Sequence, residues 1–143
     1  TLMASRTPRN IVLADDDSDD RDLFTEAVGL INPEVQVSIV KDGVELIDYL
    51  TKNLPGPDMI FLDLNMPRKN GKECLDEITS HAVWKEIPVV IYTTSINPKD
   101  VDDCTRKGAF DFIRKPNSFE GLKTILNGFL NNGGADDSGS QNI

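Results

Sequence analysis

The sequence predicts an α/β fold: a doubly wound, five-stranded parallel sheet in the order 2-1-3-4-5, covered by five helices. Three observations carry this expectation. Apolar runs of strand length recur along the chain, stretches with helical spacing of apolar residues separate them, and the two weakest runs fall where sheet edges are expected.

The elements follow in order. Ile11-Val12-Leu13-Ala14 is continuously apolar, as a strand buried on both faces must be. Leu23, Phe24, Ala27, Val28 and Ile31 then share one helical stripe, with Ser18 placed to cap and Asp19 and Asp20 in the first turn, where the helix dipole favours them. Val35 to Ile39 alternates apolar and polar, which reads as a strand with one wet face. After the Asp42-Gly43 turn, Val44, Ile47 and Leu50 mark a second helix. Met59-Ile60-Phe61-Leu62 is the third strand, and a helix from about Gly71 to Ser80 follows with Leu75 and Ile78 inward. Val89-Val90-Ile91-Tyr92 is the fourth strand. The next helix opens at Asn97-Pro98, since proline suits the first helical turn, and closes near Gly108. The fifth strand, Phe110 to Ile113, is interrupted by Asp111; a helix carrying Leu122, Ile125, Leu126, Phe129 and Leu130 ends the pattern. Right-handed crossovers with the alternating and interrupted strands at the edges give the order 2-1-3-4-5.

The 143 residues suffice for one domain over 10–131. Residues 1–9 read as a disordered arm or vector-derived remnant, and 132–143, rich in Gly, Asn, Ser and Asp, as a disordered tail. No apolar stretch reaches membrane-spanning length, and no secretory signal is evident, so a cytoplasmic location is expected. A net charge of −9 opposes binding to nucleic acid. Cys74 and Cys104, on separate helices, read as reduced, semi-buried core thiols, and Trp84 as a packing residue. His81, the single histidine, lies at the end of the third helix as a surface or interface residue.

In doubly wound sheets ligands bind at the carboxyl ends of the strands, beside the point where strand order reverses. Strand one ends here in Asp15-Asp16-Asp17, strand three in Asp63, strand four in Thr93-Thr94-Ser95 and strand five in Arg114-Lys115-Pro116. Three carboxylates about 5 Å apart, at an effective dielectric near 20, repel by roughly 3 kcal/mol per pair, about 10 kcal/mol together. Such a site calls for a cation, and hard oxygen donors contributed in ones and twos suit Mg²⁺. With Lys115 as a further positive charge, the set fits phosphoryl transfer to an Asp63 oxygen. A carboxylate ionised at neutral pH needs no general base.

These residues resemble the receiver domain of two-component response regulators. The resemblance covers about residues 10–131 and rests on the acidic pair after IVLA, the block IFLDLNMPRKNG, IYTT of strand four and RKP after strand five. DDDSDDR and KPNSF are similar to stand-alone receivers that serve histidine kinases, bacteriophytochrome-type sensors among them. The resemblance implies a flavodoxin-like fold and makes Asp63 the phosphoacceptor. Asp16 would touch Mg²⁺ directly, Asp15 mainly through water, and Asn65 by its backbone carbonyl, with Asp17 as a capping neighbour. Met66, Pro67 and Gly71 would shape the loop into the third helix. Thr93 and the Thr94 backbone N–H would bind phosphoryl oxygens, and Lys115, held by a cis peptide to Pro116, would pair with the phosphate.

The implied switch has Thr93 pointing away before phosphorylation and inward afterwards, with Phe112 filling the vacated space. Tyrosine or histidine is frequent at that position in the family, so Phe112 is a departure that offers no hydroxyl. Phe112 also reads simply as a core residue of strand five. The implied partners are a sensor histidine kinase or phosphotransfer protein and a downstream protein contacting helix four, strand five and helix five, with a monomer or a weak homodimer through that face. The chain would not be an enzyme beyond Mg-dependent self-phosphorylation and slow autodephosphorylation, and no output domain is expected after helix five.

Arg68, Lys69 and Lys72 form a basic cluster that reads either as a steering patch for an acidic partner or as a solvated loop. Two rival readings remain: a non-phosphorylated pseudoreceiver adaptor and a haloacid-dehalogenase-like phosphatase. The second lacks the carboxylate its D-x-D motif needs, because Asn65 stands there. A P-loop is excluded by Met66 at its first glycine position.

Overall fold

The computed structural model describes residues 7–95 and 97–131, so the expected tail at 132–143 and all but the last three residues of the expected arm lie outside the described residues. Five parallel strands, β1 (Asn10–Ala14), β2 (Gln36–Val40), β3 (Met59–Leu62), β4 (Val89–Thr93) and β5 (Asp111–Arg114), form one sheet in the order β2-β1-β3-β4-β5. The helices α1 (Ser18–Ile31), α2 (Gly43–Lys52), α3 (Gly71–Thr79), α4 (Pro98–Arg106) and α5 (Phe119–Leu130) alternate with them, as the sequence predicts. β3 and β4 are buried along their whole length, and β1 everywhere but at Asn10. On one face Phe24, Val28, Leu122 and Leu126 pack against Ile11, Leu13, Phe61 and Val90, tying α1 and α5 to the sheet. On the other, Leu46, Leu50, Leu75, Ile78 and Cys104 pack against Val12, Ile60, Leu62 and Ile91.

Local chemistry sets the helix starts. Asp17, not Ser18, caps α1: its carboxylate accepts the Asp20 N–H at 3.1 Å, and its charge also meets the positive end of the helix dipole. Asp42 caps α2, and Asn70 and Glu73 form a reciprocal capping box at α3. Proline opens α4, and Gly108 at φ +98 follows its end in a left-handed conformation that suits glycine.

Several expectations are corrected at the margins. Leu23 is 43% exposed, because Phe24, Ala27 and Val28 already fill the contact of α1 with the sheet. Val44 is likewise exposed, and Leu46 with Leu50 supplies the buried stripe of α2. β2 lies one residue later than expected and leaves Ile39 exposed, since it pairs only with β1. Phe110 precedes β5 and is 63% exposed. The two thiols are fully buried, more than expected, and burial pushes the Cys74 thiol up to about 12. Trp84 is buried; His81 stacks on its ring and accepts backbone N–H groups from Val83 and Trp84 through Nδ1, an internal bracing role.

Candidate functional site

The parallel sheet brings the ends of β1, β3, β4 and β5 to one edge. Asp15 follows β1, and its backbone N–H bonds Val40 O, which fixes it beside β2. Asp63 follows β3 and is anchored through its N–H to Ala14 O at 3.0 Å. Lys115 follows β5, its N–H bonded to Thr93 O at 2.7 Å. One carboxylate oxygen from each of Asp15, Asp16 and Asp63 lies within 4.8 Å of the others. Asp15 is fully buried, Asp63 nearly so, and Asp16 is exposed.

Lys115 is the counter-ion of this cluster. Its Nζ lies 2.8 Å from Asp15 Oδ2, 2.7 Å from Asp20 Oδ2 and 3.6 Å from Asp63 Oδ2. The Tyr92 ring lies beneath the ammonium, with its centroid 5.4 Å away. Burial pushes the carboxyls of Asp15 and Asp63 above the usual carboxylate range; Lys115 pulls both back, helped by the Asp17 N–H at Asp15 and by Thr93 and the Leu64 and Asn65 backbone at Asp63. The Lys115 ammonium is burdened by burial, yet its bonds to Asp15 and Asp20 hold its pKa above the ordinary value. One lysine for two buried carboxylates and two more acids alongside leaves the pocket short of positive charge, and its donors are hard oxygens. This donor set fits a divalent cation such as Mg²⁺.

The loop after β3 is shaped by close contacts. Gly71 N–H bonds Leu64 O at 2.9 Å, and a Cβ on Gly71 would meet Asp63 O at 2.3 Å, so only glycine allows this approach. Pro67 O accepts the Lys69 N–H at 2.7 Å, and Arg68 takes φ 67 in between. Met66 is buried against the α2–α3 side of the core, while Asn65 and Pro67 face solvent.

Three expectations at the site are corrected. Among the described residues the cis peptide is Leu54–Pro55, not Lys115–Pro116; the bonds of Lys115 to Asp15 and Asp20 hold it without that geometry. Thr93 does not point away: it is fully buried, its hydroxyl stabilises the Asp63 carboxylate, and the Ser95 N–H approaches it at 3.4 Å. The basic cluster is no free patch, because Arg68 pairs with Asp42, Lys69 with Glu77, and Lys72 with Asp100 and Asp103. Thr94 is exposed beside the site, Pro116 half-buried, and Phe112 half-buried against the core on the α2–α4 side, compatible with both readings given for it.

Sequence reasoning placed Asp20 only as a residue of the first helical turn. Its contact with Lys115 spans 95 positions, and nothing local in the sequence signals it.

The receiver-domain family model, described as "Response regulator receiver domain", matches residues 11–127. The chain belongs to this family, the receivers of two-component systems. Response regulator Rcp1 of Synechocystis is 37% identical over 102 residues, which span 68% of this chain and 69% of that protein. A crystal structure of the phosphorylated cyanobacterial phytochrome response regulator RcpA superposes with a TM-score of 0.78 at 36% identity, covering 84% of this chain and 89% of that one. The Mn²⁺-bound form of Rcp1 gives a TM-score of 0.77 at 32% identity, covering 85% and 91%.

Proposed function

We propose that this receiver accepts a phosphoryl group from a phosphohistidine onto Asp63 and passes on that state through protein contacts. The observation that carries the reading is the placement of Asp63 beside both the acidic pair Asp15–Asp16 and the buried ammonium of Lys115. An Asp63 carboxylate oxygen forms a bond to phosphorus while the bond from phosphorus to the imidazole nitrogen breaks. The electron pair stays on the imidazole, which takes up a proton, and the product is an aspartyl phosphate. Lys115 pairs with one phosphoryl oxygen, and the Thr93 hydroxyl and Thr94 N–H bind others. Asp15, Asp16, Asp63 and the Asn65 carbonyl would hold Mg²⁺, which when bound would supply positive charge against the negative charge developing on the transferred group.

The likeness to phytochrome response regulators supports a sensor histidine kinase of phytochrome type as phosphodonor, acting in the cytoplasm. Helix α4, β5 with Phe112, and α5 form the readout face, through which a weak homodimer would also assemble.

The test is the intact mass after incubation with acetyl phosphate and Mg²⁺. A gain of one phosphoryl group that disappears with EDTA and in Asp63→Asn is expected. A folded, Mg²⁺-binding protein that gains no mass from acetyl phosphate or from any of a panel of phosphorylated kinases would favour the adaptor reading instead. Sustained turnover of phosphate esters would point to a phosphatase.

A further inference from the structure

Lys115 divides its three N–H donors unevenly. Asp20 at 2.7 Å accepts a hydrogen bond, Asp15 at 2.8 Å is a close ion-pair contact whose Oδ2 lacks hydrogen-bond geometry, and Asp63 at 3.6 Å lies beyond hydrogen-bonding distance. Asp20 stands outside the trio of carboxylates that converge within 4.8 Å, so its charge is directed at the lysine and not at the metal-ligating group. Its position is set by the backbone of α1, whose first turn is fixed where the Asp20 N–H bonds the Asp17 cap.

The three acids also differ in what it takes to give the lysine up. The Asp15 side chain is 0% exposed and that of Asp63 8%, while that of Asp20 is 30% exposed. A buried carboxylate stripped of its cation keeps the full desolvation penalty, whereas water can replace the lysine at Asp20. Transfer of Lys115 away from Asp20 is therefore the rearrangement of lowest cost in the pocket.

We propose that Asp20 is a positioning residue for phosphoryl binding: it holds the Lys115 ammonium back from Asp63, and a phosphoryl group on Asp63 must draw the lysine off it. This rests on the reading of Asp63 as acceptor. Asp20 thereby opposes occupation of the site and sets how readily the phosphorylated state is reached.

The test is calorimetric titration of the Mg²⁺-loaded protein with beryllofluoride, a phosphoryl mimic, in wild type, Asp20→Ala, Asp20→Asn and Asp22→Ala. Asp22 is an exposed carboxylate of the same helix and controls for net charge. Asp20→Ala should bind about fivefold to tenfold more tightly, the scale of one charge-assisted hydrogen bond, and Asp22→Ala should stay within about twofold of wild type. Asp20→Asn, isosteric and still an acceptor, should fall between and carries the test if the alanine variant does not fold. In the metal-free protein, the Lys115 ammonium resonance in nitrogen-15 NMR should move in both Asp20 variants and stay in place in Asp22→Ala. Wild-type binding with no gain in either Asp20 variant beyond that of Asp22→Ala overturns the inference alone. A wild type that takes neither beryllofluoride nor a phosphoryl group from any donor overturns the acceptor reading and the inference together.

Discussion

Lys115 and Lys72 each hold two carboxylates at nearly the same distances: 2.8 and 2.7 Å to Asp15 and Asp20, and 2.7 and 2.9 Å to Asp100 and Asp103. Their surroundings reverse the outcome. Lys115 is 8% exposed at the end of the sheet, and burial drives Asp15 and Asp63 above the usual carboxylate range despite the ammonium. Lys72 is 29% exposed between α3 and α4, and its bonds pull Asp103 down to about 2, with Lys99 helping. Identical pairs thus do opposite things. At the surface the ions are comfortable and merely join two helices; in the pocket the carboxylates remain short of cation, and that shortage is available for chemistry.

The largest way to break this contrast is Lys115→Ala, which leaves Asp15 and Asp63 buried without a counter-ion. A loss of about 3–5 kcal/mol in urea unfolding of the metal-free protein at neutral pH is expected. Adding Asp15→Asn should recover part of it. An unchanged midpoint would mean that the two lysines are equivalent after all.

Asp42 is the informative intermediate, since it is buried yet holds its proton weakly. Burial raises its pKa, but the Glu45 N–H and the Arg68 guanidinium together bring the carboxyl below its ordinary range. Hydrogen-bond donors, where there are enough of them, override desolvation. Asp42→Ala should cost about 1–2 kcal/mol at neutral pH, the scale of a lost helix cap with a charged partner. Because the folded pKa is depressed, this contribution is complete above the unfolded pKa and vanishes as pH falls through the folded value. The gap between wild-type and variant melts should therefore close on acidification.

Asp63→Asn should act in the other direction. With a raised folded pKa, ionised Asp63 destabilises the metal-free fold at neutral pH, so the variant should be more stable in EDTA by on the order of 1 kcal/mol. The advantage should shrink as pH falls through the folded value and disappear below the ordinary aspartate range. Saturating Mg²⁺ should reverse the ranking. The smallest effect is expected from Lys72→Ala: a modest fall in melting temperature at low ionic strength that shrinks in high salt, as for partly solvated ion pairs.

Much of this architecture was legible in the residues because it rests on local rules. Continuous runs such as Met59–Leu62 announce buried parallel strands, and Asp42-Gly43 and Asn97-Pro98 announce helix starts. Asp15, Asp16, Asp63, Thr93 and Lys115 could be singled out because each ends or follows a strand, and a doubly wound sheet gathers its strand ends at one edge. Finer expectations failed where a long-range contact decided the matter. Leu23 and Val44 fit their helical stripes yet face solvent, because neighbouring residues had already filled the sheet contact. Arg68, Lys69 and Lys72 look like a basic patch until their partners, distant in sequence except for Glu77, fold onto them.

The sequence by itself determined the alternation of strands and helices, the sheet order and which acids meet at its edge, since periodicity, capping and crossover handedness act over short segments. Tertiary structure alone decided how those charges are shared: that Asp20 takes a donor from Lys115, that Thr93 faces Asp63, and that Lys72 of α3 pairs with Asp100 and Asp103 of α4. The physical reason is that a charge is defined by its depth and its partners, and both come from residues tens of positions away.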